Sequence, residues 1–429
     1  MNMTFHPFPQ LDVIQKASQK GRILFDCYRL LYKEDFWQIV IRRLNLLSYL
    51  QNSIVNNMIK EIIYELRIGK FRFSNTSKLN NHLHTKDSLV KEAVVVILEH
   101  IYPMKGFDQS SLPKTDPSFF TLQKLITWDN MKWFIKISFD KIIYSEQFIE
   151  FVMTMIKGKV NDHRFIQLVF YASMMSQQKH CHTYTYPMSK LANLIKYIFQ
   201  ESIVQNIQDI IKRNNDSPIK LVYNRAELLI GINDTKPHAL SLLREINDEL
   251  VHGYIHFFCN IQLNLYHIGD NIDFQKYQLL PKGAFGSNPD KNQRLRLIVP
   301  KKQMNQWVSR NEYGDLQKYI SLARRKLLYF SDQRILRIYN EELISFANHY
   351  VFAANFNDIE KIVHLAESSF LKTLAFKYKT TSKQIAFSLK QKNQHGRVGL
   401  VCKSNFHIFI KMHHLKLYRK KILQIISNM

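Results

Sequence analysis

From Ile23 the stretch ILFDCYRLLYKEDFWQIVIRRLNLL repeats apolar residues at helical spacing and is interrupted around Lys33 to Asp35, which predicts two helices. Ile54 to Arg67 predicts a further amphipathic helix, closed by Gly69, a residue suited to the left-handed backbone past a helix end. Lys70-Phe71-Arg72-Phe73 then alternates basic and aromatic residues. That fits a short edge strand with a solvated basic face, or a surface that stacks bases and meets phosphates. Thr76 to Lys86 is polar and predicts a loop. Ile219 to Ile232, IKLVYNRAELLIGI, sets two apolar arms around Asn224, Arg225, Ala226 and Glu227, and predicts a β-hairpin with an exposed tip. Asp234 to Val251 predicts a helix capped by Asp234 or Thr235, with Glu245, Asp248 and Glu249 on its wet side. Gly253 to Pro300 reads as irregular, with Gly, Pro, Asn and Asp gathered at 281–292, and predicts a domain boundary. Tyr319 to Lys372 returns to helices rich in aromatic and aliphatic residues.

Composition adds a partner to this pattern. The chain has 429 residues, 46% of them hydrophobic, enough for two or three domains with real cores. Lys and Arg number 60 against 35 Asp and Glu, a formal charge of +25, which points to a polyanion, nucleic acid first. Lys-, Asn- and Ile-rich coding accounts for part of this excess, not all of it. The four cysteines, Cys27, Cys181, Cys259 and Cys402, show no paired spacing, which argues against a zinc site or disulfide framework and for a reducing compartment. His180 and His182 flank Cys181, but no fourth ligand or carboxylate is in range, so they read as loop residues and no metal site is expected. No apolar run is long enough to span a membrane, and the N-terminus lacks signal- or transit-peptide character, so the product is expected to be made where it works.

Three segments in series, RLLYKEDFW, IIYELRIGKFRF and KDSLVKEAVVVILEHIY, resemble in order and spacing the N-terminal half of group II intron reverse transcriptases, the intron-encoded maturases. After Tyr102 that family has a Gly-Phe-Arg-containing segment that helps position the incoming nucleotide. Here KGFDQSSLPKTDPS retains Phe107 and Ser110 and lacks the Arg. The stretch from Trp128 resembles the strand with the first catalytic aspartate, and Leu191-Ala192-Asn193 matches the later small-residue helix without its glycines. An ungapped register from Trp133-Phe134-Ile135 puts Ser138 where the metal-binding aspartate belongs. Asp140 lies two residues on, about 7 Å along a strand and too far for a metal pair. The Tyr-Ala-Asp-Asp hairpin of the family falls on Asn224 to Glu227, so its aspartates become Ala226 and Glu227. Polymerase chemistry needs carboxylates holding two Mg²⁺ ions about 4 Å apart, and a single glutamate does not assemble such a centre.

The last third resembles the thumb-like domain X of maturases at Tyr339-Asn340, Asn348-His349-Tyr350, Ala353, Asn355, Ser368 or Ser369, and Thr373-Leu374-Ala375. The family's Gly before Asn-Tyr-Tyr and His between the two lysines are replaced by Phe346-Ala347 and Tyr378. The resemblance therefore implies an α+β fold: a degenerate right-hand reverse-transcriptase-like fingers and palm region at 1–285, an all-α domain X at 286–390, and a basic tail at 391–429. It implies a splicing cofactor for group II, or reduced group III, intron RNA, without polymerase activity and without a cofactor, with homodimerisation left open. RNA contacts are expected from Arg67, Lys70 and Arg72, and from Lys372, Lys377, Lys379 and Lys383. Residual polymerisation through Asp140 and Glu227, or general basic RNA binding, are the alternatives. No paired-cysteine or HNH endonuclease pattern is found, so intron mobility is not expected. The eroded character is similar to euglenid plastid maturase-like proteins, and an organelle is expected, a plastid ahead of a mitochondrion.

Overall fold

The computed structural model describes residues 9–44, 52–74, 81–103, 118–140, 142–175, 190–214, 218–224, 227–252, 255, 258–281, 295–392, 398–402 and 407–427. Two compact units divide the chain. The first draws on 1–117, 135–230 and 235–265, the second on 118–134, 231–234 and 266–429. Helices α1 (Pro9–Gln19), α2 (Glu34–Leu44), α3 (Asn52–Arg67) and α4 (Asn81–Ile101) come first, followed by α5 (Ser118–Ile126) and strand β1 (Trp133–Asp140). Next are α6 (Glu146–Lys157), α7 (His163–Met174), α8 (Lys190–Arg213), the hairpin β2 (Ile219–Asn224) and β3 (Glu227–Ile232), α9 (Lys236–His252) and β4 (Asn260–His267).

In the first unit α4 is enclosed by α1, α2, α7 and α8. Leu89, Val90 and every residue from Ala93 to Leu98 are buried, more than one face of a helix can supply, so α4 is a core helix. Its Glu92 is buried too, and is satisfied by Arg43 of α2 at 2.7 Å and Lys190 of α8 at 3.2 Å. A buried carboxylate needs such partners.

Several expectations are corrected here. The two helical segments expected after Ile23 are present and part at Lys33, but the first is a short 3-10 helix, Cys27–Tyr32, that starts only after Asp26 at φ 58°. Asp162 fixes that turn, accepting from Tyr28 N at 2.7 Å while capping α7 through Phe165 N at 3.0 Å. Residues 81–86, read as loop, belong to α4, while residues 75–80 lie outside the described residues. Lys70 to Phe73 pairs with no strand among the described residues. Phe71 is buried and meets Phe73 edge-on at 5.1 Å, so these rings face the protein.

The first unit also holds most of a four-stranded sheet ordered β2-β3-β1-β4. Along β1 Ile135, Ile137 and Phe139 are buried, whereas Lys136 and Ser138 lie on the other face and keep some exposure, as the two-residue period of a strand allows.

In the second unit β5 (Ile272–Phe274), β6 (Tyr277–Pro281) and β7 (Leu295–Ile298) form an antiparallel sheet, with Ile272 opposite Leu279 and Leu279 opposite Leu297. Among the described residues the expected irregular boundary is therefore largely strand; of the Gly/Pro/Asn/Asp cluster at 281–292 only Pro281, the end of β6, is described. Then follow α10 (Lys301–Arg310), the two-residue strands β8 (Gly314–Asp315) and β9 (Ile320–Ser321), α11 (Asp332–His349), α12 (Ile359–Lys377) and α13 (Ser382–Leu389). The all-α expectation for 286–390 is thus amended by β7, β8 and β9. Gly314 is required at its turn, since at φ +135° a Cβ would lie 2.0 Å from Ile320 O.

Past Lys390 the chain continues folded, through β10 (Lys390–Lys392), β11 (Val398–Cys402), β12 (His407–Ile408) and α14 (Met412–Ser427). Arg419 of the basic cluster is tied down, donating to Val351 O at 2.8 Å and Ala353 O at 2.9 Å. Lys420 and Lys421 remain exposed. Among the described residues no helix is long and apolar enough to cross a membrane.

Candidate nucleic-acid interface

The hairpin comes first, because its tip is where the sequence resemblance would put metal ligands. Arg225 and Ala226 lie outside the described residues. Glu227 opens β3 beside β1, and its Oε1 sits 2.9 Å from Nζ of Lys136, with the two side chains 25% and 13% exposed. Ser138 is the next residue on the same face of β1 as Lys136. The Glu227 carboxylate is therefore engaged by an ammonium. A divalent cation at Glu227 would stand a few ångströms from that charge, and like charges repel strongly where water is partly excluded. The described residues at this hairpin do not fit a two-ion centre. Elsewhere among the described residues no three His, Cys, Asp or Glu side chains gather as metal ligands, and residues 180–182 lie outside them. Buried Cys27 and Cys259 are each pushed up to about 12, chiefly by burial, which keeps them as thiols rather than nucleophiles.

The second unit carries a different construction. Between β9 and α11 the strap Ser321 to Ser331, SLARRKLLYFS, lies along α12. Arg324 grips Glu342 of α11 with two hydrogen bonds of 2.8 and 2.9 Å, its backbone N donates to Thr373 Oγ1 at 2.9 Å, and its guanidinium caps the Tyr339 ring at 4.9 Å. Burial opposes the Arg324 charge, and the Glu342 carboxylate more than offsets it, so its pKa is raised. Tyr313 donates to the same Glu342 at 2.7 Å and stacks on Tyr339 at 5.4 Å. The Tyr339 hydroxyl meets Ser369 Oγ at 2.9 Å and Thr373 Oγ1 at 3.1 Å, and Ser369 Oγ donates to Leu322 O at 2.6 Å. Burial raises the pKa of both tyrosines, which keeps them neutral donors.

Lys372 and Lys377 join this network. Lys372 Nζ donates to Ser321 O at 2.7 Å, and Lys377 Nζ to Phe330 O at 2.8 Å and to Asp332 Oδ1 at 2.7 Å. Each fastens the strap to α12, at opposite ends. What the fastened strap presents outward is cationic and aromatic. Tyr329 is 95% exposed, Phe376 is half-exposed beneath Arg325 at 5.3 Å, and Arg334 covers Phe330 at 4.1 Å. Tyr378, also half-exposed, donates to Asp332 at 2.7 Å. Lys379 follows with φ 49°, a left-handed residue that ends α12 and stays in solvent. On α13, whose start is fixed by a Thr381–Gln384 capping box, Lys383 and the exposed Phe387 stand one turn apart.

Residues 290–398 match the type II intron maturase family. Over this stretch the chain is group II intron maturase-like. In addition, 100 residues, 22% of the chain, are 33% identical to the group II intron-encoded protein LtrA of Lactococcus lactis subsp. cremoris, and equally to that of its strain MG1363. The match spans 17% of the length of those relatives.

Within the maturase-like stretch, the residues that carried the resemblance are chiefly scaffold. Tyr339, Ser369 and Thr373 anchor the strap. Asn340 pairs with the backbone of Ile408 and Ile410, each at 2.9 Å, and Asn355 with both backbone groups of Val299. Of the seven cations expected to meet RNA, Arg67, Lys70, Arg72, Lys372, Lys379 and Lys383 are exposed and Lys377 is partly buried; Lys372 and Lys377 also fasten the strap. Arg67 lies over the Tyr32 ring at 5.5 Å, and Arg72 donates to Gly69 O and Phe71 O. Sequence reasoning missed Arg325, Tyr329 and Arg334. The signal was the run Arg324-Arg325-Lys326 followed by Tyr329-Phe330, absorbed into a predicted helix.

Proposed function

We propose that the protein is an intron maturase, which binds group II or group III intron RNA and helps it fold for splicing while the RNA performs its own phosphoryl transfer. The observation that carries this reading is the coincidence of the maturase-like stretch with the exposed cation–aromatic surface of the strap, α12 and α13. Binding favours the active RNA fold through its differential affinity for that fold over competitors. The first unit is read as a reverse-transcriptase-like scaffold that no longer polymerises, supported by the Lys136–Glu227 pair at the hairpin. The Lys-, Asn- and Ile-rich composition supports an organelle, a plastid ahead of a mitochondrion.

Filter binding to a group II intron RNA and to a scrambled RNA of equal length, across a salt series, tests this. The intron should bind more tightly, with log affinity falling linearly with log salt. Replacing Arg325, Lys379 and Lys383 by Ala should flatten that slope by about two to three, each lost phosphate contact contributing about 0.7–0.9. Equal affinity for both RNAs throughout would remove the maturase reading.

A further inference from the structure

We infer that the strap is a base-stacking subsite, at which Tyr329, and Phe376 beneath Arg325, take unpaired nucleotides of the bound RNA. The inference rests on the maturase reading and adds the form of RNA that this surface selects. Tyr329 is 95% exposed, an arrangement that wins nothing from burial. Its backbone is nevertheless held on both sides. Arg324 is anchored to Glu342 and Thr373, and the carbonyl of Phe330 is held by Lys377. On a backbone held in this way, a bound base has only the two side-chain torsions of the tyrosine left to order.

The surroundings select a polyanion as occupant. Arg325, Lys326, Arg334, Lys379 and Lys383 are among the exposed cations of the strap, the first turn of α11 and α12–α13. The acidic groups facing them, Asp332 and Glu312, are already engaged by Lys377 and Lys326. Arg325 over Phe376 and Arg334 over Phe330 place guanidinium planes beside rings, so phosphate contact and base stacking are available from the same few residues. A duplex has no use for such rings. Its bases are stacked inside an A-form helix read by shape through the shallow groove, whereas unpaired loops and bulges splay bases onto aromatic and guanidinium planes.

Fluorescence anisotropy of the full chain tests this with a labelled single-stranded RNA oligonucleotide and a blunt, fully paired RNA duplex of the same number of phosphates. Tyr329→Ala should weaken the single strand roughly 5- to 100-fold, leave the duplex within about 2-fold and leave the salt slope unchanged, while Tyr329→Phe keeps nearly full affinity. Phe376→Ala should act in the same direction. Circular dichroism that matches the parent confirms that these surface variants are folded. Equal loss on both RNAs, or no loss on either, overturns the stacking subsite. So does loss of self-association with RNA affinity intact, which would make Tyr329 a protein contact. If the unaltered chain binds no RNA, the maturase reading falls first. If it binds RNA but Tyr329→Ala is silent, only the subsite falls.

Discussion

Arg324→Ala should destabilise the second unit by roughly 3–5 kcal/mol, the cost of stranding a partly buried carboxylate. Glu342 would keep the Tyr313 hydroxyl and lose both guanidinium bonds, and the Tyr313 and Tyr339 rings would lose the cation that covers them. The effect exceeds that of a surface ion pair because Arg324 and Glu342 are only 11% and 20% exposed. Because the chain has two units, the readout should be local, by hydrogen exchange of α11 and α12 amides in urea rather than one melting temperature. Protection falling there, with α4 unchanged, is the expected pattern. RNA affinity should fall with it although Arg324 itself faces inward, since the strap that carries Arg325 and Tyr329 would be released. A change of about 0.5 kcal/mol or less would mean that the strap is held by its backbone contacts alone.

Primer extension is the second large effect, and the expected result is background incorporation with Mg²⁺ or Mn²⁺. Glu227→Ala should leave that background unchanged. Lys136→Ala, which removes that ammonium from beside Glu227, should not raise it, because Ser138 still supplies no charge where the chemistry needs a second carboxylate. Robust extension abolished by Glu227→Ala would instead make the protein a polymerase with a rearranged site.

The α3 helix, the arms of the hairpin, α9 and the aromatic-rich helices α11 and α12 were legible in the sequence because their apolar spacing is local, and Gly69 past α3 and Ser331 before α11 mark ends as well. The three-stranded sheet was not. Its strands are three to five residues long, and the partner of β6 in β7 lies beyond the Gly/Pro/Asn/Asp cluster at 281–292, so neither strand looks like one without the other. The strap failed for a related reason. Ala323 to Tyr329 has helical spacing, yet the backbone of Ser321, Leu322, Arg324 and Phe330 bonds to α12 side chains, contacts about 47–51 residues apart in the chain. Those long-range bonds also tie down Lys377, which is partly buried and paired with Asp332, and engage Lys372, which stays exposed. At the hairpin, the two apolar arms could be read from the sequence. That a lysine from a neighbouring strand would meet Glu227 could not, since register across strands is set by tertiary pairing.

The most direct measurement is splicing itself. A group II intron precursor is incubated at a Mg²⁺ concentration where it splices poorly alone, with and without the full chain. The account predicts faster splicing that saturates with protein, is weakened by the Arg325, Lys379 and Lys383 alanine variant, and is unaffected by Glu227→Ala. Splicing unchanged at protein concentrations that saturate RNA binding would contradict it.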